Sequence, residues 1–351
     1  MDRERGRRAL EGGCRVTDLS IVIVTWNARD VLLDALESIE REILGRQDEG
    51  RIEVETLVVD NGSRDGSVEA ARERFGWAEV IALDENIGFA AGNNVGLHRA
   101  KGRHMVLLNS DTVVLPDALE RCVRYLDAHP EVGVVGPQLL NPDRSKQNCI
   151  HNYPSLATEL VPKGLLEKLL PGRYPSKRYE HPEPIPVQAV LGACLFVRKE
   201  VVDQVGPMPE DYFFFLEETD WCFRIAQAGW RIMHIPDAHV VHIFGVSTKK
   251  KIPADTRIEY HRSLYHFFRK NRSAGMAAAI KALRVTKALL YVIIRGPGAL
   301  LSGKLRDRFR QDWIVLRWHL RGCPRDEGLR QVRGPAAKET NESSDQGGSS
   351  R

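Results

Sequence analysis

No stretch of this 351-residue chain reaches the ~18–20 uninterrupted apolar positions of a membrane-spanning helix. Met1–Arg15 is charged and has no apolar core segment, so no secretory leader is expected. The six cysteines (Cys14, Cys122, Cys149, Cys194, Cys222, Cys323) form no C-x-x-C pair. That argues against a zinc ribbon and fits reduced thiols in a cytosolic compartment. Internal repeats are absent. Two nucleotide-binding loops are also missing: no G-x-G-x-x-G follows the first strand-like run, and no G-x-x-x-x-G-K-[ST] occurs. With 42% hydrophobic and 28% charged residues the composition is that of a globular protein, which excludes collagen-like, wholly disordered and disulfide-scaffold chains. The length suffices for about two domains of ~150 residues.

Acidic residues are scarce in one region only. Arg269–Arg333 holds 16 Lys and Arg against 4 Asp and Glu, leaving 35 against 43 elsewhere, so a net charge of +4 conceals a basic C-terminal module on an acidic remainder. Such a module suits an anionic partner, a membrane surface or nucleic acid. Nucleic acid is the weaker reading, because it leaves the acidic remainder unexplained.

What is present is an alternation of strands and helices. Leu19–Thr25 is a continuous β-branched run, as expected of a strand buried on both faces. Val54–Val59, Ala78–Leu83 and His104–Leu108 read as further strands. Asp30–Leu44, Gly66–Phe75 and Gly88–Ala100 have helical character, and Pro116 is expected to open another helix. The pattern predicts an α/β fold with parallel strands and right-handed crossovers. Residues 137–186 give no regular pattern and read as a long surface segment, suited to an acceptor or lid region. Val187–Val197 reads as strand with a break at Gly192-Ala193, Glu217–Ala228 as helix, and Arg231–Ile235 and His239–Ile243 as short strands.

In open parallel sheets, ligands bind outside the carboxyl ends of the strands, and the polar residues here follow those ends. Thr25-Trp26-Asn27 follows the first strand, Asp60-Asn61-Gly62 the second and Asn109-Ser110-Asp111 the fourth. A carboxylate at Asp60 can accept from a base N–H or a ribose hydroxyl, or can form an Asx turn. One at Asp111 can hold Mg²⁺ or Mn²⁺, or can cap a helix. Phe213–Trp221 sets Glu217, Glu218 and Asp220 beside aromatics, where burial raises a carboxylate toward general-base use; first-turn acids that complement a helix dipole are the plainer alternative. The Gly- and Asn-rich stretch Asn86–Gly96 permits close backbone approach to a ligand.

Taken in order, these segments resemble the family 2 inverting glycosyltransferases, in particular their rhamnosyltransferase-like members. The resemblance covers roughly Leu19–Lys249 and rests on SIVIVTWN, VVDNGSRDGS, NIGFAAGNNVGL, LLNSDTVV, GACLFVRKE, FFFLEETDWCFR and HVVHIFGVST. It implies a GT-A nucleotide-diphospho-sugar transferase fold, Rossmann-like with a mostly parallel central sheet. It implies a donor site of Thr25, Trp26, Asn27, Asp60, Asn61, Gly62, Asn86, Gly88, Phe89, Asn93, Asn109 and Ser110. A divalent ion, Mg²⁺ or Mn²⁺, is implied at Asp111 and His242. The base is implied at Glu218, with Glu217 or Asp220 as orienting partners. Two positions depart from the family pattern: the D-x-D stretch reads Asn109-Ser110-Asp111, with only its last acid, and Glu218 stands where an Asp is usual. The implied reaction moves a sugar, dTDP-rhamnose being the donor suggested by NIGFAAGNN, to a hydroxyl of a saccharide or lipid-linked saccharide in cell-envelope polysaccharide synthesis. The competing reading is a non-catalytic or acceptor-gated nucleotide-sugar binding protein.

The expected organisation is a loose lead-in over 1–17, the catalytic domain over 18–270, a basic helical region over 271–333 and a polar tail over 334–351. In the third of these, Lys281, Arg284, Lys287, Tyr291 and Arg295 share one helical face and Val285, Leu289, Leu290, Val292, Ile293 and Ile294 the other, with Gly296-Pro297-Gly298 ending the helix. That pattern, with the Trp313–Arg321 stretch after it, predicts peripheral attachment to the inner face of an anionic membrane.

Overall fold

The protein is described from a computed structural model covering residues 17–44, 52–177, 180–243, 253–299 and 301–329. Apart from residue 17, the expected lead-in and tail lie outside the described residues. The chain starts as anticipated: β1 (Leu19–Thr25), α1 (Arg29–Leu44), β2 (Val54–Asp60), α2 (Ser67–Arg74), β3 (Glu79–Ala82), α3 (Phe89–Arg99) and β4 (His104–Asn109). Next come β5 (Thr112–Val114), α4 (Ala118–Ala128), β6 (Val132–Leu140), β7 (Ile150–His151), α5 (Leu156–Leu160), α6 (Lys163–Leu169) and β8 (Ile185–Pro186). Then follow β9 (Ala189–Val190), β10 (Cys194–Arg198), α7 (Lys199–Val205), α8 (Glu217–Gln227) and β11 (Arg231–His242).

The main sheet runs β3-β2-β1-β4-β10-β6-β11-β5, with β8 also paired to β11. Its first four strands are parallel, as are β6 and β11, but β10 is antiparallel to both neighbours and β5 to β11. The sheet is therefore largely, not wholly, parallel. Three other expectations change. The stretch 137–186 begins inside β6 and holds β7, α5, α6 and β8, so it is not one irregular segment. The two short strands after Arg231 are one strand with an irregularity between Ile235 and His239. Pro116 precedes α4 by two residues, and Asp117 stands at the cap in a left-handed conformation.

Burial follows the period-two geometry of β1: Leu19, Ile21 and Ile23 face one apolar core with α1, α2 and α4. Val22 faces a second core with α3, α7 and α8. Helix α3 lies on β1 only because Gly96 has no side chain, since a Cβ there would stand 2.3 Å from Val22 Cγ1. Register sets the site. Thr25 pairs with Asp60 and Val24 with Asn109, so the ends of β1, β2 and β4 form one row.

Only Ser110 and Asp111 separate β4 from β5, although four strand spacings lie between them in the sheet order. Four spacings in a flat sheet are about 19 Å, and three peptide units reach about 11 Å at most. The sheet therefore curls, carrying its β11–β5 end back to the carboxyl end of β4.

The chain divides into two compact units at Lys249/Lys250, some 20 residues before the expected boundary. The second unit contains α9 (Pro253–Asn271), α10 (Ala274–Ala299) and α11 (Gly303–Leu320), so α9 is grouped with the basic helices. Helix α10 runs through Pro297, contrary to the expected break. Buried Asp312 of α11 takes Arg257 of α9 at 2.7 Å and Arg295 of α10. Arg284 lies over the Tyr260 ring. Arg284 and Arg295, on the basic face of α10, thus face inward, and its apolar face is outward: Leu289, Leu290, Ile293 and Ile294 are exposed, the last at 70%.

Candidate active site

The loops after β1 and β2 hold each other. Asn61 N–H donates to Thr25 O at 2.8 Å, Asn27 N–H to Ser63 Oγ at 2.8 Å, and Arg64 N–H to Asn27 Oδ1 at 2.9 Å. Asn27 pays for this position with a left-handed backbone, φ 49°. Trp26 beside it is exposed at 43%, unusually so for a tryptophan. Asp60 Oδ2 accepts from Ser63 N–H, three residues on, at 2.9 Å and so ties down the turn after β2. Its other oxygen, Oδ1, is buried and finds no partner among the described residues, and the same holds for Thr25 Oγ1 beside it. Leaving a buried acceptor unmade costs about 1–3 kcal/mol, and here two such acceptors stand on register partners at the ends of β1 and β2.

The Asn-rich loop is mostly scaffold. Asn61 Nδ2 donates to Asn86 Oδ1 and Gly88 O at 3.1 and 3.0 Å, and Asn61 Oδ1 accepts from Ile87 N–H at 2.9 Å. Asn93 donates to Phe89 O within its own helix. Gly62 has φ +76° and approaches the Glu85 backbone so closely that a Cβ would stand 2.8 Å from its Cα. Gly88, φ +101°, turns the chain into α3. These residues shape the loops beside Asp60 while their amides are engaged internally.

Asp111 is brought to His242 by the pairing of β5 with β11, in which Thr112 faces His242 and Ile243 N–H donates to Asp111 O at 2.8 Å. Asp111 Oδ1 lies 3.3 Å from His242 Nε2, with Asn109 Nδ2 3.4 Å from the same nitrogen. The Asp111 side chain keeps 17% of its surface, and His242 is buried. Adjacent ligands of an octahedral ion with bonds of about 2.1 Å stand about 3 Å apart, so the pair suits a divalent cation. Among the described residues no third His, Cys, Asp or Glu joins it. A small hard ion commonly completes its shell with substrate phosphates and water.

The acids of α8 are held at the same end by burial. Trp221 and Ile225 are fully buried in the second core. Trp221 Nε1 donates to Gly206 O at 2.9 Å, and the Arg224 guanidinium donates to the carbonyls of Val205 and Pro207. Phe215 and Leu216, just before the helix, are both left-handed at φ 70° and 68°, a strain of roughly 1–3 kcal/mol each. The three acids then diverge. Asp220 lies close to the Tyr212 hydroxyl and 3.7 Å from Arg224, a structural arrangement. Glu217 is buried near Tyr212. Burial pushes the Glu218 carboxyl up to about 7, more than the backbone N–H groups of Glu218 and Thr219 lower it. A Cβ on Gly192 would stand 3.6 Å from Glu218 Cβ and 3.7 Å from Phe89 Cε1, ordinary contact distances, so Gly192 lies against both. The next residue, Ala193, accepts from Asn109 N–H, which ties the Glu218 neighbourhood to the Asp111 turn. Of the expected residues, Trp26 and Ser110 make no side-chain hydrogen bond or ion pair among the described residues. Reading the sequence missed Gln147, which bonds His242, and Tyr212; neither stands in a patterned segment, and Gly192 was read only as a break in a strand.

Residues 20–206 match the profile described as "Glycosyl transferase family 2". An N-acetylglucosaminyl-diphospho-decaprenol L-rhamnosyltransferase of Mycobacterium tuberculosis is 28% identical over 256 residues, covering 67% of this chain and 81% of the relative. A dTDP-rhamnosyl transferase, RfbF, of Shigella flexneri is 26% identical over 202 residues, covering 55% and 63%. Among solved structures, a mannosyltransferase from Pyrobaculum calidifontis in complex with GDP-Man and Mn²⁺ superposes with a TM-score of 0.51 at 20% identity, covering 91% of this chain and 92% of that one. The row of strand ends, the curl that joins Asp111 to His242 and the match across Ser20–Gly206 agree: the chain belongs to glycosyltransferase family 2 and has the GT-A fold.

Proposed function

We propose that the protein transfers L-rhamnose from dTDP-rhamnose to a hydroxyl of a lipid-linked saccharide, with inversion at the anomeric carbon. The observation that carries this reading is the convergence at the strand ends. Asp60 offers a buried, unpartnered carboxylate oxygen, Asp111 and His242 a cation pair, and Glu218 a buried carboxylate poised near neutrality. The two relatives named as rhamnosyltransferases favour the sugar.

In this mechanism Asp60 Oδ1 and Thr25 Oγ1 take the donors of the base or ribose. Asp111 and His242 hold a Mg²⁺ or Mn²⁺ ion, which when bound supplies positive charge to the departing diphosphate. Glu218 accepts the proton of the acceptor hydroxyl as its oxygen bonds to the anomeric carbon. The carbon–oxygen bond to the nucleoside diphosphate breaks, and that group leaves with the electron pair. Hydrolysis of dTDP-, UDP- and GDP-sugars, each with Mn²⁺, Mg²⁺ or EDTA, tests the reading. Turnover of dTDP-rhamnose that EDTA abolishes is expected. Preference for another donor, or turnover indifferent to EDTA, would overturn the sugar or the metal respectively.

The outward apolar face of α10 favours a second element of this reading, attachment to an anionic membrane surface. No described helix is long and apolar enough to cross a bilayer. Leu289, Leu290, Ile293 and Ile294 are instead exposed together, and exposed Lys304, Arg308 and Arg310 on α11 supply cationic charge. Replacing these four apolar residues with serine should abolish co-flotation with phosphatidylglycerol vesicles while dTDP-rhamnose hydrolysis persists. Unchanged flotation would sink the idea.

A further inference from the structure

The amide of Gln147 lies against the imidazole of His242, and the hydrogen bonds around it permit one orientation of each. The polarity starts at Asp143, an ionised carboxylate and hence only an acceptor. Ser145 Oγ donates to Asp143 Oδ1 and so accepts from Asn141 Nδ2 at 2.9 Å. Asn141 Nδ2 also faces the carbonyl of Lys146, at 3.4 Å. Asn141 Oδ1 is thereby turned to Gln147, whose Nε2 donates to it at 3.0 Å and to the main-chain oxygen of His242 at 3.2 Å. With Nε2 committed to two acceptors, it is Oε1 that faces His242 Nδ1, at 2.7 Å. Nδ1 must then carry the proton. In the neutral ring the lone pair sits on Nε2, the nitrogen that faces Asp111 Oδ1.

The Gln147 backbone is itself pinned to the end of β6: its N–H donates to Leu139 O at 2.8 Å, and its carbonyl accepts from Gln138 Nε2 at 2.9 Å. We infer that Gln147 is a positioning residue, fixing the ring and tautomer of His242 so that an Nε2 lone pair is aimed beside the Asp111 carboxylate at the cation. The inference rests on the metal site proposed above. Outer partners of this kind set ligand orientation and are worth about 10–100-fold in metal affinity.

Two measurements on the full-length chain test it. In ¹⁵N-labelled protein at pH 8, long-range ¹H–¹⁵N correlation, assigned by the loss of signals in His242→Asn, should show protonated Nδ1 and unprotonated Nε2 without any metal. An Nε2–H ring, or one averaging between tautomers, would overturn the inference. Mn²⁺ binding in the presence of dTDP, followed by the paramagnetic resonance of free Mn²⁺, should weaken about 10–100-fold in Gln147→Leu. Wild-type affinity in that variant would also overturn it. If the wild type holds no Mn²⁺ but has the Nδ1–H tautomer, the proposed metal site fails and the orienting role of Gln147 stands. The wild-type tautomer decides alone if Gln147→Leu does not fold.

Discussion

Glu218→Gln is expected to lower turnover by about 10²–10⁴-fold while leaving donor affinity within about twofold of wild type. The amide keeps the shape of the side chain and cannot take a proton. The same variant should differ in stability. Burial raises the folded-state value from 4.5 to about 7, so between those values the folded protein holds a proton that the unfolded chain releases. Stability falls as pH rises through that window and levels off above it. A shift of this size corresponds to about 3 kcal/mol at most. Denaturant unfolding should therefore show wild type losing stability between pH 5 and 8, with Glu218→Gln nearly level and the more stable of the two at pH 8. The rate of sugar transfer should rise through about pH 7 as Glu218 ionises. Near-wild-type turnover in this variant would move the base to Glu217, since Asp220 is engaged by Tyr212 and Arg224.

Asp111→Ala should cost about 10²–10³-fold in kcat/KM, the several kcal/mol by which a bound cation stabilises a leaving diphosphate. Its diagnostic is not the rate alone. Calorimetric binding of dTDP should be tighter with Mn²⁺ than with EDTA in wild type and indifferent to Mn²⁺ in the variant. His242→Ala should weaken the same dependence while leaving some of it, because the carboxylate carries the charge. Asp111→Ala protein that still binds dTDP better with Mn²⁺ would place the ion elsewhere.

Much of this site was legible because strands buried on both faces leave contiguous apolar runs, and the first polar residue after each run marks a strand end. Asp60 and Asp111 were found in that way. Strand β6 was not, because Gly133, Gly136 and Pro137 punctuate it. Gly136 is required where a Cβ would come within 2.6 Å of Val190 Cγ1, and Gly133 where one would come within 2.9 Å of Trp230. Such contacts come from distant parts of the chain and leave no periodic trace. Strand β5, three residues long, was too short to read. The choice among Glu217, Glu218 and Asp220 depended on Tyr212 and Arg224, whose proximity is a product of folding. For α10 the helical wheel could not say which face was inward, and it put exposed Tyr291 with the inward arginines. Buried Asp312 on another helix decides that by drawing in Arg295.

The two-residue link from β4 to β5 acts as a drawstring. Because it is too short to let the curled end of the sheet open, it keeps Asn109 at the end of β4 within reach of His242, while the β5–β11 pairing sets Asp111 beside that ring. For the proposed cation site, such a gauge offers a physical reason why Asn109 can stand where the family pattern leads one to expect a second carboxylate. Lengthening the link would slacken the gauge, and no added carboxylate could restore it.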